Sequence, residues 1–280
     1  LAGSDCRARR APPRRHGRHA MRSAHGASGV GWALADSAGV GGEVARRRID
    51  ASMDWAYYEE SWTYYQNYWV AMDQALYEVV QRHPTHACER LVVMKVALVD
   101  AAYSAGLARH VPRNGGDDDP AAVKVARRIV ENGDIVDRIV RSARDAGGTG
   151  DSTSELQLRK IVELHAEFDA ILCGVTREGH GVPSFASKYL HFHAPGVPIY
   201  DSQARSILQA AATRTARDSW ELDTPKPAQP DYYDFCDRFL TLWNRAIEQH
   251  RNPTVKRLDQ FLRYCFALSG SSTTPDGAVG

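Results

Sequence analysis

The chain has 280 residues, 25% of them charged and 43% hydrophobic, a balance that suits a water-exposed globular body and excludes a membrane bundle. Its most apolar stretch, Leu91 to Leu107, is interrupted by Lys95 and Asp100, so no run approaches the ~20 apolar residues of a membrane helix. The net charge of +1 hides an asymmetry, because residues 1–50 hold ten arginines against four acids and leave the remainder near −5. Global charge therefore gives the body no attraction for nucleic acid, and any DNA-binding surface must be a local patch.

Five cysteines (Cys6, Cys88, Cys173, Cys236 and Cys265) lie far apart with no C-x-x-C pair, which fits neither a zinc knuckle nor a disulfide scaffold. The paired arginines near the start have no apolar segment behind them, as a secretory or twin-arginine signal would require. The expectation is a cytoplasmic protein with reduced thiols. Residues 1–52, rich in Arg, Gly and Ala, read as a disordered basic arm or as sequence upstream of a start at Met21 or Met53.

A helical body is expected over residues 53–268. Trp55, Tyr58, Trp62, Tyr65, Trp69, Met72, Leu76 and Val79 recur at steps of three and four, which predicts one long amphipathic helix ending at His83-Pro84. A second helix, about His86 to Arg109, is apolar nearly all round and reads as the central helix. Gly115 to Pro120 form a loop. Ala122, Ala126, Ile129, Val130, Gly133, Val136 and Val140 make a third stripe, and Ser154 is placed to cap the next helix, which carries Leu158, Ile161, Leu164, Phe168 and Ile171. A turn near Gly179 to Pro183, a short helix near Ser184 to His193 and a helix from Ser202 to Arg214 follow. A Pro-rich linker (Pro225, Pro227, Pro230) leads to helices at Asp231–His250 and Thr254–Leu268, and the polar tail 269–280 reads as disordered. No segment alternates with period two, so the fold class is all-α with about eight helices, in one domain or in two lobes.

Nucleotide-hydrolase, zinc-protease and serine-hydrolase motifs are absent, and no cofactor is implied. His191 and His193 would point about 200° apart on a helix, which disfavours a shared metal, and no metal site is assigned.

The segment from Gly179 to Leu208 carries the most chemistry. A Gly-containing hairpin opens into a helix, and a Pro-stiffened turn delivers Asp201 to the start of the next. Backbone N–H groups at such a hairpin can seat a phosphate without a basic side chain. Taken singly, Asp201 reads as an N-cap before Ala204, Ile207 and Leu208, and Lys188 as a solvated helix-face lysine.

Taken together, these residues resemble the helix-hairpin-helix DNA glycosylase superfamily, especially its archaeal oxidised-guanine branch and related bacterial proteins. The resemblance covers about thirty residues: Gly181-Val182-Pro183 stands at the family's hairpin, and Val197-Pro198-Ile199-Tyr200-Asp201 at the turn that ends in its catalytic Asp. It implies two helical lobes with a cleft, a hairpin spanning about 179–187, and DNA contacts from Gly179, Gly181, Val182, Ser184, Ser187 and Arg205. It further implies a flipped nucleotide whose N-glycosidic bond breaks beside Asp201, the carboxylate stabilising the oxocarbenium sugar and orienting water. The family's lysine nucleophile aligns near Gly181, about two turns before Lys188. A monofunctional enzyme leaving an abasic site is therefore expected, with Lys188 a phosphate contact or a displaced nucleophile. The family's four-cysteine iron–sulfur loop is absent.

For the base pocket the candidates are Tyr57, Tyr64 and Tyr68, on a face about 100° from the first stripe, with Asp100, Tyr103, Ser104 and Tyr200. The tyrosines read either as a stacking platform or as residues covered by a second packed surface, and Asp100, Tyr103 and Ser104 either as pocket groups or as satisfied structural polarity. An aromatic and polar pocket would suit a bulky base such as the glucosylated hydroxymethylcytosine of phage DNA, in an anti-phage role, or oxidised guanine in repair. The expected partner is double-stranded DNA containing a modified base, bound by a monomer with no membrane association. The competing classes are a non-catalytic helix-hairpin-helix DNA-binding module and a helical protein whose aromatic helix docks a partner.

Overall fold

A computed structural model of the chain describes residues 54–112, 119–212 and 230–270, and every regular element among them is helical. The readings made for residues 1–52, for the centre of the loop after Pro112, for the Pro-rich linker and for residues 271–280 lie outside the described residues. No described helix is long and apolar enough to cross a membrane.

The stripe that begins at Trp55 forms two helices rather than one, α1 (Ala56–Tyr68) and α2 (Val70–Arg82). Trp69 separates them at φ −119°, while its amide still bonds the Tyr65 carbonyl at 2.9 Å, so the ladder bends without an abrupt break. Tyr58, Tyr65, Leu76 and Val80 are buried, and Asp73, which belongs to no apolar stripe, is buried with them.

The expected second helix is also shorter: α3 (Glu89–Tyr103) ends at Ser104 in the left-handed region, φ 46°, and Gly106 at φ 73° starts the single turn α4 (Leu107–His110). The Asp100 carboxylate accepts the Leu107 amide at 3.1 Å across this break. Nor is α3 central, since Val92, Lys95, Val96, Val99 and Tyr103 face inward but Leu98 is 38% exposed.

The third stripe divides at Asn132 into α5 (Ala121–Glu131) and α6 (Gly133–Gly147), where a side chain at Gly133 would press 3.3 Å from the His86 carbonyl. Ser154 caps α7 (Glu155–Leu172) by accepting the Gln157 amide, as expected. The chain continues as α8 (Pro183–His193), α9 (Ser202–Ala212), α10 (Pro230–Glu248) and α11 (Val255–Gly270), the last extending two residues beyond its expected end.

The central position belongs to α8. Helices α2, α3, α6 and α7 pack against it, and every residue from Phe185 to His193 is buried. Phe185, Tyr189, Leu190 and Phe192 supply its apolar area, at about 2 kcal/mol or more for each fully buried side chain. The C-terminal α11 lies against α1 and α9, so the first and last described helices are neighbours.

Burial of α8 carries histidines inside. His191 donates through Nδ1 to the Val197 carbonyl, 2.8 Å away, and accepts the Tyr77 hydroxyl at Nε2, also at 2.8 Å. His193 turns instead to His86, ring centroids 4.9 Å apart, and His86 donates through Nδ1 to Asp137 at 2.6 Å. The two imidazoles of the H-x-H pair therefore diverge. Burial holds all three neutral: it pushes His86 down to about 4 despite Asp137, His191 down to about 3, and His193 well below the usual range.

Because the unfolded chain takes up these protons near pH 6.5 and the folded one does not, stability falls as pH drops from 6.5 towards 4. Asp169, raised by burial to about 6, acts in the opposite sense below that pH, as do Asp237 and Asp259, which burial also raises, so the carboxylates offset part of the loss. Urea unfolding at pH 7.5, 5.5 and 4.5 is expected to show a loss of stability across that series, on the order of 1.4 kcal/mol per net proton and pH unit. An unchanged midpoint down to pH 4.5 would contradict the assignment of neutral buried imidazoles.

Candidate functional site

The hairpin is built on a carboxylate that the sequence reading passed over. Asp169, on the buried face of α7, accepts the Val182 amide at Oδ1, 2.6 Å away. A Cβ on Gly181 would lie 1.9 Å from Asp169 Oδ2, so glycine is required where the hairpin crosses the helix. Two short 3₁₀ turns, Cys173–Val175 and Arg177–Gly179, lead into it. Gly179 is exposed at φ 69° with no atom near its missing side chain. Pro183 opens α8, and no side chain caps its first amides.

Lys188 is 2% exposed, which overturns its reading as a solvated lysine. Its ammonium donates to the Tyr103 carbonyl at 3.1 Å and to Ser184 Oγ at 3.0 Å, so a phosphate would have to displace an internal bond to reach it. Burial pushes the amine below the usual lysine range, against the opposing influence of Asp201, with Arg263 lowering it and Asp259 and Asp100 raising it. Ser187 is wholly buried and stitches α8 to the following turn, its Oγ accepting the Tyr200 amide at 3.0 Å. Val182 is 3% exposed with its amide held by Asp169. The DNA contacts expected of Ser187 and Val182 do not fit this burial; Gly179 stays exposed, and Gly181 and Ser184 are half-buried.

The turn from Ala194 to Tyr200 is located by backbone. Gly147 at the end of α6 and Gly196 in the turn touch main chain to main chain, and a Cβ on Gly196 would lie 2.1 Å from the Gly147 carbonyl oxygen. Tyr232 donates to the Pro198 carbonyl at 3.0 Å from α10. Asp201 follows, 8% exposed, and its Oδ1 accepts the Ala204 amide at 2.8 Å, so it does cap α9. Arg205, one turn on, is half-buried and donates to the Tyr200 hydroxyl and to Asp231.

Four residues absent from the sequence-based candidates, Asp73, Lys256, Asp259 and Arg263, are joined through Tyr103 and Lys256. The Asp73 carboxylate accepts the hydroxyls of Tyr65 at 2.8 Å and Tyr103 at 2.5 Å and pairs with Lys256 at 2.6 Å. These partners outweigh its burial and hold it below the usual carboxylate range. The Arg263 guanidinium lies 5.0 Å from the Tyr103 ring centroid and 5.7 Å from that of Trp69. Sequence offered one signal for the group, polar residues at core-facing positions of α2 and α11.

The seven base-pocket candidates do not form one pocket. Tyr103 belongs to the Asp73 network and offers its carbonyl to Lys188, Tyr200 is buried beside Asp201, Asp100 holds the start of α4, and Ser104 is exposed. Tyr57, Tyr64 and Tyr68 are 37%, 47% and 70% exposed, so no second packed surface among the described residues covers them. They join Tyr264 of α11 in an aromatic face, with Tyr64 centred 4.8 Å from Tyr68 and 5.7 Å from Tyr264. A surface pocket of about 360 Å³, lined by Ala87, residues 130–135 and Asp137, includes none of these side chains. Among the described residues no cluster of three or more potential ligands could hold a metal ion.

No family model, no curated protein and no solved structure matches the chain.

The two hairpin glycines are expected to respond differently to alanine. Gly181→Ala drives a methyl into Asp169 and should lower the thermal midpoint by 5 °C or more, on the order of 2 kcal/mol. Gly179→Ala meets only backbone strain at positive φ, about 1 kcal/mol. Equal midpoints for the two variants in a thermal melt would refute the role given to Asp169.

Proposed function

We propose that the protein is a DNA glycosylase of helix-hairpin-helix type that releases a modified base from a flipped nucleotide. The reading rests on one observation: a buried lysine on the helix after the hairpin, followed by a buried aspartate at the head of the next helix. Asp201 is the carboxylate that faces the oxocarbenium sugar as the base departs and orients the water that adds at C1′, leaving an abasic site. Its capping bond uses Oδ1 and fixes the carboxylate without consuming it. The body is acidic beyond residue 50, so the hairpin amides around Gly179 and the uncapped start of α8 take the DNA backbone. In this reading the cleft between two helical lobes admits the flipped base, and the exposed tyrosine face of α1 and α11 stacks on DNA beside it. Hydroxymethylcytosine carrying a hexose, as in phage DNA, and oxidised guanine are the substrate classes to compare.

Two observations favour variants of this reading. The depressed proton affinity of Lys188 suits an amine that attacks C1′, which would add strand cleavage to base release. The cap made by Asp201 suits a non-catalytic DNA-binding module in which that residue is structural.

One experiment separates them: mass spectrometry of bases released from a panel of modified duplexes and phage DNA, with and without alkali, by wild type, Asp201→Asn and Lys188→Gln. Asparagine caps helices as well as aspartate does, so Asp201→Asn should keep its thermal midpoint and its DNA affinity. Its rate of base release is expected to fall at least a hundredfold. Strand breaks that need alkali identify hydrolysis, whereas a borohydride-trapped adduct that Lys188→Gln abolishes identifies the amine route. Binding without release by wild type leaves the DNA-binding module.

A further inference from the structure

Two serines stand in the first turns of α8, and their hydroxyls are used differently. Ser187 is wholly buried and its Oγ is committed to backbone: it donates to the Ser184 and Tyr200 carbonyls and accepts the Tyr200 amide. Ser184 is half-buried, and its Oγ lies 3.0 Å from Lys188 Nζ, one turn further along the same helix face. The Tyr103 carbonyl, 3.1 Å from the same nitrogen, holds the amine from a second direction. A hydroxyl, a base within hydrogen-bond reach and a third group that orients the base together form the arrangement by which a serine becomes a nucleophile.

The surroundings of the amine suit a base. Lys188 is 2% exposed, and both groups that its nitrogen touches are neutral. An uncharged amine is satisfied there, since it donates to the Tyr103 carbonyl and accepts the Ser184 hydroxyl on its lone pair. Burial lowers its proton affinity in the same sense. The head of α8 adds donors for a developing negative charge. Pro183 has no N–H, the Ala186 amide is the first to bond a preceding carbonyl, that of Val182 at 2.9 Å, and no side chain caps the Ser184 and Phe185 amides. The amide of the residue after a nucleophilic serine at a helix start is a proven oxyanion donor in hydrolases. None of this needs a G-x-S-x-G pattern, because nucleophile and base are neighbours on one helix.

We propose that Ser184 and Lys188 form a serine–lysine dyad that hydrolyses a carboxylic ester through an acyl-Ser184 intermediate. This activity goes beyond the glycosylase reading and makes no use of Asp201. Ser184 Oγ adds to the ester carbonyl carbon while its proton passes to Lys188 Nζ, and the Phe185 amide faces the oxyanion that forms. The bond from the carbonyl carbon to the alcohol oxygen then breaks, and the departing alkoxide takes the proton from Lys188. Water adds to the acyl-serine and gives a proton to Lys188, which returns it to Ser184 Oγ as the acid leaves. One ester and one water become one acid and one alcohol. An ester is the fitting class, because an alkoxide departs with less help from a general acid than an amine does, and Lys188 is enclosed.

The test treats the full chain with a fluorophosphonate, from which an activated serine displaces fluoride, and locates the adduct by peptide mass spectrometry. An adduct on Ser184 is expected in the wild type and none in Ser184→Ala. Lys188→Gln fills the same space but takes up no proton, and its labelling rate should fall at least about a hundredfold. In the wild type the rate should rise with pH and level off below about 10.4, the ordinary lysine value, once Lys188 is uncharged. Turnover of p-nitrophenyl acetate that Ser184→Ala removes identifies the ester activity. The absence of a Ser184 adduct between pH 7 and 10 overturns the proposal, as does labelling of Lys188→Gln at the wild-type rate. An adduct without ester turnover also overturns it. Should Lys188→Gln not fold, the wild-type profile decides, and a rate that climbs with hydroxide without levelling off removes the dyad.

Discussion

A single buried carboxylate, Asp73, sets the terms on which the described helices come together. Two hydroxyls and an ammonium must be brought to it, because an isolated charge removed from water costs several kcal/mol even after relaxation. Those donors sit on α1 (Tyr65), α3 (Tyr103) and α11 (Lys256), so satisfying one side chain fixes three helices around α2. Losing one partner would cost about 3–5 kcal/mol, more than most apolar contacts in the same core. The arrangement also orients Tyr103, whose backbone carbonyl takes the Lys188 ammonium. The candidate site inherits its geometry from this network.

Helix α8 carries the consequence inward. Ser187, Lys188, His191 and His193 sit among aromatic rings on a helix packed by four others, and the first three find partners within the fold. His193 finds none, its two nitrogens lying against the rings of His86 and Tyr189. That cost is tolerated because an uncharged imidazole is cheaper to bury than an ammonium. The turn that follows is registered by two glycine backbones in contact and a tyrosine bond to Pro198, so the location of Asp201 depends little on side-chain volume nearby.

Much of this was legible from residue spacing, though not the parts that matter most to chemistry. The apolar stripes on α1, α2, α5, α6 and α7 follow from helical periodicity, and the caps at Ser154 and Asp201 follow from their residue types. The breaks at Trp69, Ser104 and Asn132 do not, because each keeps the periodic pattern on either side and is decided by tertiary packing. Hydrophobicity points to the stretch from about His86 to Arg109 as the central helix, yet α8 takes that place with a more polar sequence. Periodicity reports exposure on one face; it is silent about a helix enclosed on all sides. Lys188 looked solvated because lysines usually are. Asp259 and Arg263 joined the site from the far end of the chain, where local pattern carries no information about what lies opposite. The tyrosine face was legible as residues on one side of a helix, and its completion by Tyr264 was not.

The span of the Asp73 network bears on how the molecule is made. Asp73 lies in the second described helix and Lys256 in the last, so a chain emerging from the ribosome carries the carboxylate long before its cation exists. Helices α1 to α3 can form as they appear, with water or the two tyrosines serving Asp73 meanwhile. The charge is matched only when α11 leaves the exit tunnel. Closure of the charged cluster therefore waits for α11, and a translation product interrupted before it leaves Asp73 without its cation even if most of the earlier helices have formed.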